Sequence, residues 1–382
     1  MKNVLFAIIF IAIRLVFSEP MLFLHHSCGN NLINEGNVRF WLDSLNTANG
    51  TDHTFWDHGY NYQGLRNPEG VWLGYNWDVP DDNTYPCGFA RIFNQEVDTF
   101  TCPNFFSHVI DSSILFAFKS CFPTCEIDPD DTSYDLIDSC HQTIFNYKRL
   151  YREIRDIIDM YPNRMFVPLT PPPLVPSATT PEQAARARHF AIWLTDTFPY
   201  EDGPHPNIAV FDFWTLLAEN DSTDPDYNCL RYEYRRDPDG DDSHPNELAN
   251  QTIGPIFAQF LYYQLNTFLS IQEKQIFIKN LKISAVPNPF NSSCKISVET
   301  YDYASLPTTI AIYDIMGNVV YQPPIPLRRD LSPLIRGTDR SVSDGQGVII
   351  WTPDKSVPSG IYFIKAITPD RLYIIKRIVY IR

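Results

Sequence analysis

Four short apolar runs limit most strongly what this chain can fold into: Met21 to Leu24, Ile114 to Phe118, Met165 to Leu169 and Ile208 to Phe213. Each is continuous rather than alternating, and each is bounded by polar or turn-forming residues, which fits strands buried on both faces. Helical periods lie between them. Val38, Trp41, Leu42 and Leu45 recur at helical spacing, and Tyr147, Leu150, Tyr151, Ile154, Ile157, Ile158 and Tyr161 share one face of a helix that Pro162 closes. Thr180, with Pro181 at the first helical position and Gln183 as its reciprocal partner, forms a capping box opening a helix to about Phe198, and a further helix runs from Pro245 to about Leu265. Strands alternating with helices specify an α/β domain whose parallel sheet is covered on both faces. Ligands of such sheets bind beyond the carboxyl ends of the strands.

Two segments at that edge carry chemistry. His25-His26-Ser27-Cys28-Gly29-Asn30-Asn31 follows the first apolar run directly, so Ser27 stands where a strand turns into a helix. The first backbone N–H groups of that helix, those of Ser27 and Cys28, are aimed to hold an oxyanion. A serine hydroxyl needs a base, and Asp241-Asp242-Ser243-His244-Pro245-Asn246 supplies His244 after the fourth strand. Asp241, three residues before it, is the expected carboxylate that orients the imidazole, with Asp242 the alternative. His26 beside the nucleophile and Lys119 at the end of the second run are expected to line the substrate site. Asp237 to Asp242 lacks the alternating ligands and terminal glutamate of a calcium loop, so no metal and no cofactor is expected. Asn46 to Tyr85, rich in aromatics, Gly, Asn and Asp without a period, reads as a long loop shaping a pocket or its lid.

The 382 residues exceed one ordinary core, and the texture changes near Ile271. Beyond it, Ile296 to Glu299, Thr309 to Tyr313, Val348 to Trp351, Ile361 to Ala366 and Leu372 to Tyr380 read as strands separated by turns, an all-β, Ig-like sandwich. The charge divides the same way: from Ser284 onward 11 Lys/Arg face 8 Asp/Glu, a local +3 within a total of −15, which leaves −18 for the first 283 residues. An acidic body of that kind argues against nucleic-acid and anionic-membrane partners. Met1-Lys2 followed by Val4 to Phe17 reads as a secretory leader, cleaved after Val16-Phe17-Ser18 in spite of Arg14. The expected division is therefore a leader over 1–18, a catalytic domain over 19–270, a linker over 271–283 and a β-domain over 284–382. No segment reads as transmembrane, and the eight cysteines suit disulfides in an exported protein.

Phe23-Leu24-His25-His26-Ser27-Cys28-Gly29-Asn30 resembles the nucleophile block of the SGNH/GDSL hydrolase superfamily, without its Gly-Asp-Ser-Leu signature, and Asp241-x-x-His244-Pro245 resembles its last block. The resemblance covers roughly Glu19 to Phe268. It implies a flavodoxin-like α/β/α fold and a metal-free Ser-His-Asp esterase. The family's Gly-x-Asn-Asp block has no clean counterpart, since Lys119-Ser120-Cys121 stands in its place. By analogy Gly59 (or Gly74) and Asn104 are assigned its remaining oxyanion donors. In the tail, Pro287-Asn288-Pro289-Phe290-Asn291, Ile312-Tyr313-Asp314-Ile315-Met316-Gly317, Ser359-Gly360-Ile361-Tyr362-Phe363 and Lys376-Arg377-Ile378-Val379 resemble the C-terminal sorting domain of type IX secretion substrates. This implies an interaction with secretion machinery and delivery to the cell surface or medium. The expectation is a secreted or surface serine hydrolase acting on esters, an acetylated glycan for example, with a non-catalytic surface binding protein as the competing class.

Overall fold

The apolar runs pair side by side, as strands too hydrophobic for an exposed face must. The computed structural model describes residues 18–59, 64–74, 84–95, 105–130, 140–300, 309–323, 345–367 and 373–382. In its first unit, β1 (Pro20–His25), β2 (Thr54–Gly59), β3 (Leu65–Arg66), β4 (Leu115–Lys119) and β5 (Met165–Leu169) form one sheet in the order β3-β2-β1-β4-β5. β2, β1, β4 and β5 run parallel, and only the short β3 is antiparallel. Beyond β5, residues 207–211 continue the sheet through parallel bridges from Ile208 to Phe166 and from Phe211 to Leu169. A regular strand was expected there to Phe213. Asp212 instead caps a short helix by accepting from the Thr215 N–H at 3.1 Å, so the chain turns away after Phe211.

The helices of this unit are α1 (Ser27–Glu35), α2 (Val38–Asn49), α3 (Pro86–Asn94), α4 (Phe105–Ser112), α5 (Ile144–Ile158), α6 (Pro181–Asp196), α7 (Phe213–Leu217) and, as far as Phe268, α8 (Glu247–Asn280). Alternation along β1 sends Leu22 and Leu24 into a core shared with Phe116, Phe118 and Phe166 and with α3, α5 and α6. Phe23 points the other way, its ring 5.2 Å from Phe257 of α8, which also meets Phe211 at 4.9 Å. The sheet is thus covered on both faces. The expected capping box opens α6, with the Gln183 N–H donating to Thr180 Oγ1 at 3.2 Å and the Thr180 N–H to Gln183 Oε1 at 3.3 Å. Two expectations need correction, the loop and the linker. The stretch read as a loop from Asn46 to Tyr85 contains β2, because Trp56 and Asp57-His58 alternate as a strand whose polar members are paired rather than exposed. The helix opened by Ser27 and the expected helix of Val38 to Leu45 are separate elements, parted at Gly36 and Asn37, the latter in the left-handed region at φ 51°. Residues expected as a linker are helical to Asn280 and extended from Leu281.

The second unit begins at Leu269. β6 (Leu281–Val286), β7 (Cys294–Thr300), β8 (Thr309–Tyr313), β9 (Val319–Tyr321), β10 (Gly345–Trp351), β11 (Gly360–Ile367) and β12 (Tyr373–Tyr380) form two antiparallel sheets, β10-β7-β6 and β12-β11-β8-β9. Ile296, Val298 and Trp351 from the first sheet and Ile312, Ile364 and Tyr380 from the second share one core. Among the described residues no helix is long and apolar enough to cross a membrane; the expected leader lies outside them.

One crossing in the first unit fixes where the ends of β1 and of the His244 segment meet. Gly36, closing α1, lies against Gly254 of α8 so closely that a Cβ on Gly254 would fall 2.1 Å from the Gly36 carbonyl oxygen, and one on Gly36 would fall 2.6 Å from the Asn250 carbonyl oxygen. Glu35 locks the same junction: both of its oxygens accept from Arg236 Nη2, at 2.7 and 2.8 Å, and Oε2 also accepts from Asn250 Nδ2 at 2.7 Å. Because both obstacles are backbone, Gly254→Ala is expected to lower stability by about 1–3 kcal/mol, the cost of overpacking a filled site. The check is the urea midpoint of the variant, which should fall without a change in slope.

Candidate active site

Ser27 is the first residue of α1, and the extended backbone of its N-cap, His26 (φ −97°, ψ −170°), makes the sharp turn out of β1. The first helical hydrogen bond is Asn30 N–H to the His26 carbonyl at 3.0 Å, so the N–H groups of Ser27, Cys28 and Gly29 precede the helical ladder. Across from them, His244 Nε2 lies 2.7 Å from Ser27 Oγ, bringing together two residues 217 positions apart. His244 is held in turn by Asp242, whose Oδ1 accepts from Nδ1 at 2.5 Å and from the His244 backbone N–H at 3.0 Å. A carboxylate only accepts, so Nδ1 carries the hydrogen and Nε2 is the acceptor facing the Ser27 hydroxyl. Partial burial pushes the Asp242 carboxyl up, but the hydrogen bonds from the His244 backbone and ring outweigh it and hold it below the ordinary value. Phe122, in the turn after β4, sets its ring edge-on to the imidazole at 4.9 Å.

The His244 segment is anchored on both sides. Ser243 is fully buried, its Oγ accepting from the Val175 N–H at 3.1 Å. Asn246 caps α8 by accepting from the Ala249 N–H at 3.0 Å, and it donates to the carbonyls of Glu233 at 2.8 Å and Arg235 at 3.0 Å.

The expected site residues divide. Ser27, Cys28 and His244 come together. Asp241 does not join them: it is exposed in the turn, and the orienting carboxylate is Asp242. Two-residue spacing lets one carboxylate oxygen reach the His244 backbone N–H and ring at once, whereas Asp241 lies one residue too early for that closed turn. Gly59 is not available as an oxyanion donor either, because its N–H donates to the Gly64 carbonyl at 3.1 Å, closing the turn from β2 to β3. Asn104 lies outside the described residues. Lys119 is fully buried, with Nζ donating to the Ser120 carbonyl at 2.8 Å, and does not reach out toward a substrate. His26 is buried as well, Nε2 standing 3.4 Å from Thr84 Oγ1.

Beneath the turn lies a charged cluster that composition alone did not reveal. Asp57 in β2, 1% exposed, accepts from His25 Nε2 at 2.9 Å, from Arg66 Nη1 at 3.3 Å and from Arg39 Nη2. Burial pushes its carboxyl up, but the hydrogen bond and charge of His25 and those of Arg39 prevail and lower it. His25 Nδ1 also lies 2.9 Å from the His26 carbonyl oxygen, linking this cluster to the residue that caps α1. Beside Ser27, Cys121 Sγ approaches Ser27 Oγ to 3.9 Å and Cys28 Sγ to 4.0 Å. Cys87 and Cys140 are joined in a disulfide, while Cys28, Cys121, Cys125, Cys229 and Cys294 are free and buried. Among the described residues no group of three His, Cys, Asp or Glu side chains could hold a metal ion. A comparison with family models finds no match, and a comparison with curated proteins finds none.

Burial pushes the His58 imidazole, next to Asp57, down to about 4. Its folded value lies below the unfolded one, so the unfolded chain binds the proton first as pH falls. The stability His58 contributes is complete above about 6.5 and disappears as pH drops toward 4, a difference of about 3 kcal/mol. His58→Gln is therefore expected to flatten the fall in melting temperature between pH 6.5 and 4.5; parallel curves for variant and parent would contradict this.

Proposed function

We propose that the first unit is a metal-free serine hydrolase of the SGNH/GDSL kind that cleaves esters, with Ser27 as nucleophile, His244 as base and then acid, and Asp242 as the orienting carboxylate. The observation that carries this reading is the 2.7 Å contact between Ser27 Oγ and His244 Nε2 at the head of a helix. The order β2-β1-β4-β5 followed by residues 207–211 fits a flavodoxin-like sheet, with the nucleophile at the carboxyl end of β1, a strand paired on both sides.

In the proposed reaction Ser27 Oγ bonds to the ester carbonyl carbon as its proton passes to His244 Nε2. Charge develops on the carbonyl oxygen, which the N–H groups of Ser27 and Cys28 receive; such a donor is worth on the order of 10²–10³ in rate. His244 then gives its proton to the departing alcohol, and water repeats the sequence on the acyl-serine. Asp242 keeps the imidazole in the one tautomer that can accept from Ser27, and stabilises the imidazolium formed in each half-reaction.

The Cys87–Cys140 disulfide is in keeping with an exported protein. We read the second unit, two sheets around one core, as an Ig-like sorting domain of the type IX kind that engages secretion machinery and delivers the chain to the surface or medium. An acetylated glycan is the substrate class that the aromatic stretch from Asn46 to Tyr85 favours, since sugar faces stack on such rings. A second reading, a surface binding protein on a hydrolase scaffold, draws on one observation, the engagement of the Gly59 N–H by Gly64.

Turnover of p-nitrophenyl acetate by the full chain separates the two. Hydrolysis predicts that Ser27→Ala falls to the buffer background, that Asp242→Asn loses on the order of 10³–10⁴-fold, and that Asp241→Asn keeps the parental rate. Equal rates in the parent and Ser27→Ala would favour binding.

A further inference from the structure

The proposed hydrolysis leaves two buried thiols next to the nucleophile without a role. Cys28 directly follows Ser27 in the first turn of α1, Cys121 follows β4, and their sulfurs face each other at 4.0 Å with Cys121 Sγ only 3.9 Å from Ser27 Oγ. We propose that Cys28 and Cys121 are a modification site, a thiol pair that closes to a disulfide and switches Ser27 off, and opens again on reduction. The proposal rests on the hydrolase reading for its consequence, though not for the chemistry of the pair.

The surroundings divide the labour between the two sulfurs. A hydrogen bond from the Cys28 thiol, then the buried Lys119 ammonium and His26, pull the Cys121 thiol well below its ordinary value against the effect of burial. The same hydrogen bond and burial push Cys28 well above it. These influences favour Cys121 as the attacking sulfur and Cys28 as the proton-bearing, resolving one. This gives Lys119 and His26, both buried and neither extended toward a substrate, a shared task.

The oxidant is a low-molecular-weight disulfide. The Cys121 thiolate attacks one of its sulfurs, forming a mixed disulfide and releasing one small thiolate. That thiolate takes the proton of Cys28, and the Cys28 sulfur then attacks the sulfur of Cys121 and expels the second small thiolate. The two protein sulfurs lose two electrons, and the small disulfide gains them as one thiol and one thiolate, the latter taking its proton from water. Entry is past Ser27, which is itself part-exposed.

Closing the pair affects the serine because an S–S bond is about 2.0 Å long, so the sulfurs must approach by about 2 Å. Cys121 resists that movement: its N–H donates to the Thr84 carbonyl at 3.0 Å and its carbonyl accepts from the Thr124 N–H at 3.2 Å. The first turn of α1 therefore takes much of the displacement, and with it go Ser27 Oγ and the N–H groups aimed at the oxyanion. A misplacement of about 1 Å costs on the order of 10²-fold in rate.

The test equilibrates the full chain in glutathione buffers of increasing oxidised fraction and reads two quantities from each sample, the Cys28–Cys121 linked peptide by mass spectrometry and p-nitrophenyl acetate turnover. The expected result is a linked peptide that appears as turnover falls about 100-fold, with dithiothreitol restoring both. Cys121→Ala, or Cys121→Ser should the smaller side chain unfold the protein, is expected to form no link and to keep the same turnover across the series. It retains Cys87–Cys140, so an effect of that bond would show in it too. Failure of the link to form, or a link that leaves turnover unchanged, would overturn the switch and leave the hydrolase reading standing. A reduced chain whose turnover equals that of Ser27→Ala would overturn both.

Discussion

The site depends on the junction between the end of α1 and the start of α8, where two glycines allow backbone to touch backbone. Without Gly36 and Gly254, side chains would hold the helices apart by at least a methyl group, and Glu35 would not reach Arg236 and Asn250 together. Arg236 lies eight residues before His244 and Asn250 six after it, so Glu35, at the far end of the helix that Ser27 opens, grips the histidine segment on both sides. Ser243 and Asn246 supply the remaining constraints through side-chain hydrogen bonds to the Val175 N–H and the Arg235 carbonyl. A contact of 2.7 Å between side chains this far apart in sequence requires such over-determination, since each loop residue must otherwise be fixed against its own conformational entropy.

Electrostatics reinforces the same geometry at two depths. Deep in the sheet, Asp57 gathers His25, Arg39 and Arg66 and so ties β1, α2, β2 and β3 together beneath the Ser27 turn. At the rim, Asp242 engages His244 through a single oxygen and two donors. Removing either carboxylate would have different effects: the deep one leaves several buried donors unpaired, a structural loss, while the shallow one frees the imidazole to rotate and exchange tautomers. The deep carboxylate therefore holds the scaffold and the shallow one holds the imidazole.

Much of this was legible in the sequence because it depends on local pattern. Continuous apolar runs identified β1, β4 and β5, β5 to its end residues, and the capping box fixed the start of α6 at Thr180. Ser27 was legible for the same reason, since it directly follows β1; the His244 segment was expected to follow a fourth strand, but α7 and a long loop separate it from residues 207–211. What was missed depends on distant partners. The strand from Thr54 to Gly59 looked like loop because Asp57 and His58 are polar, and the burial of Asp57 is tolerated because His25, Arg39 and Arg66 arrive from elsewhere. Asp241 and Asp242 are adjacent, and only the turn geometry separates the exposed one from the one that binds His244. The engagement of the Gly59 N–H and the facing of Cys28 by Cys121 are tertiary facts with no local signal. The sequence did offer one hint: Lys119-Ser120-Cys121 departs from the SGNH/GDSL pattern that other segments of the chain resemble.

The central claim is that Ser27 is a nucleophile made reactive by His244. Reaction of the full chain with a fluorophosphonate, followed by digestion and mapping of the adduct, tests it most directly. The account predicts a single stoichiometric adduct on Ser27 that disappears in His244→Ala. An adduct on another serine, or one on Ser27 that forms equally fast without His244, would contradict it.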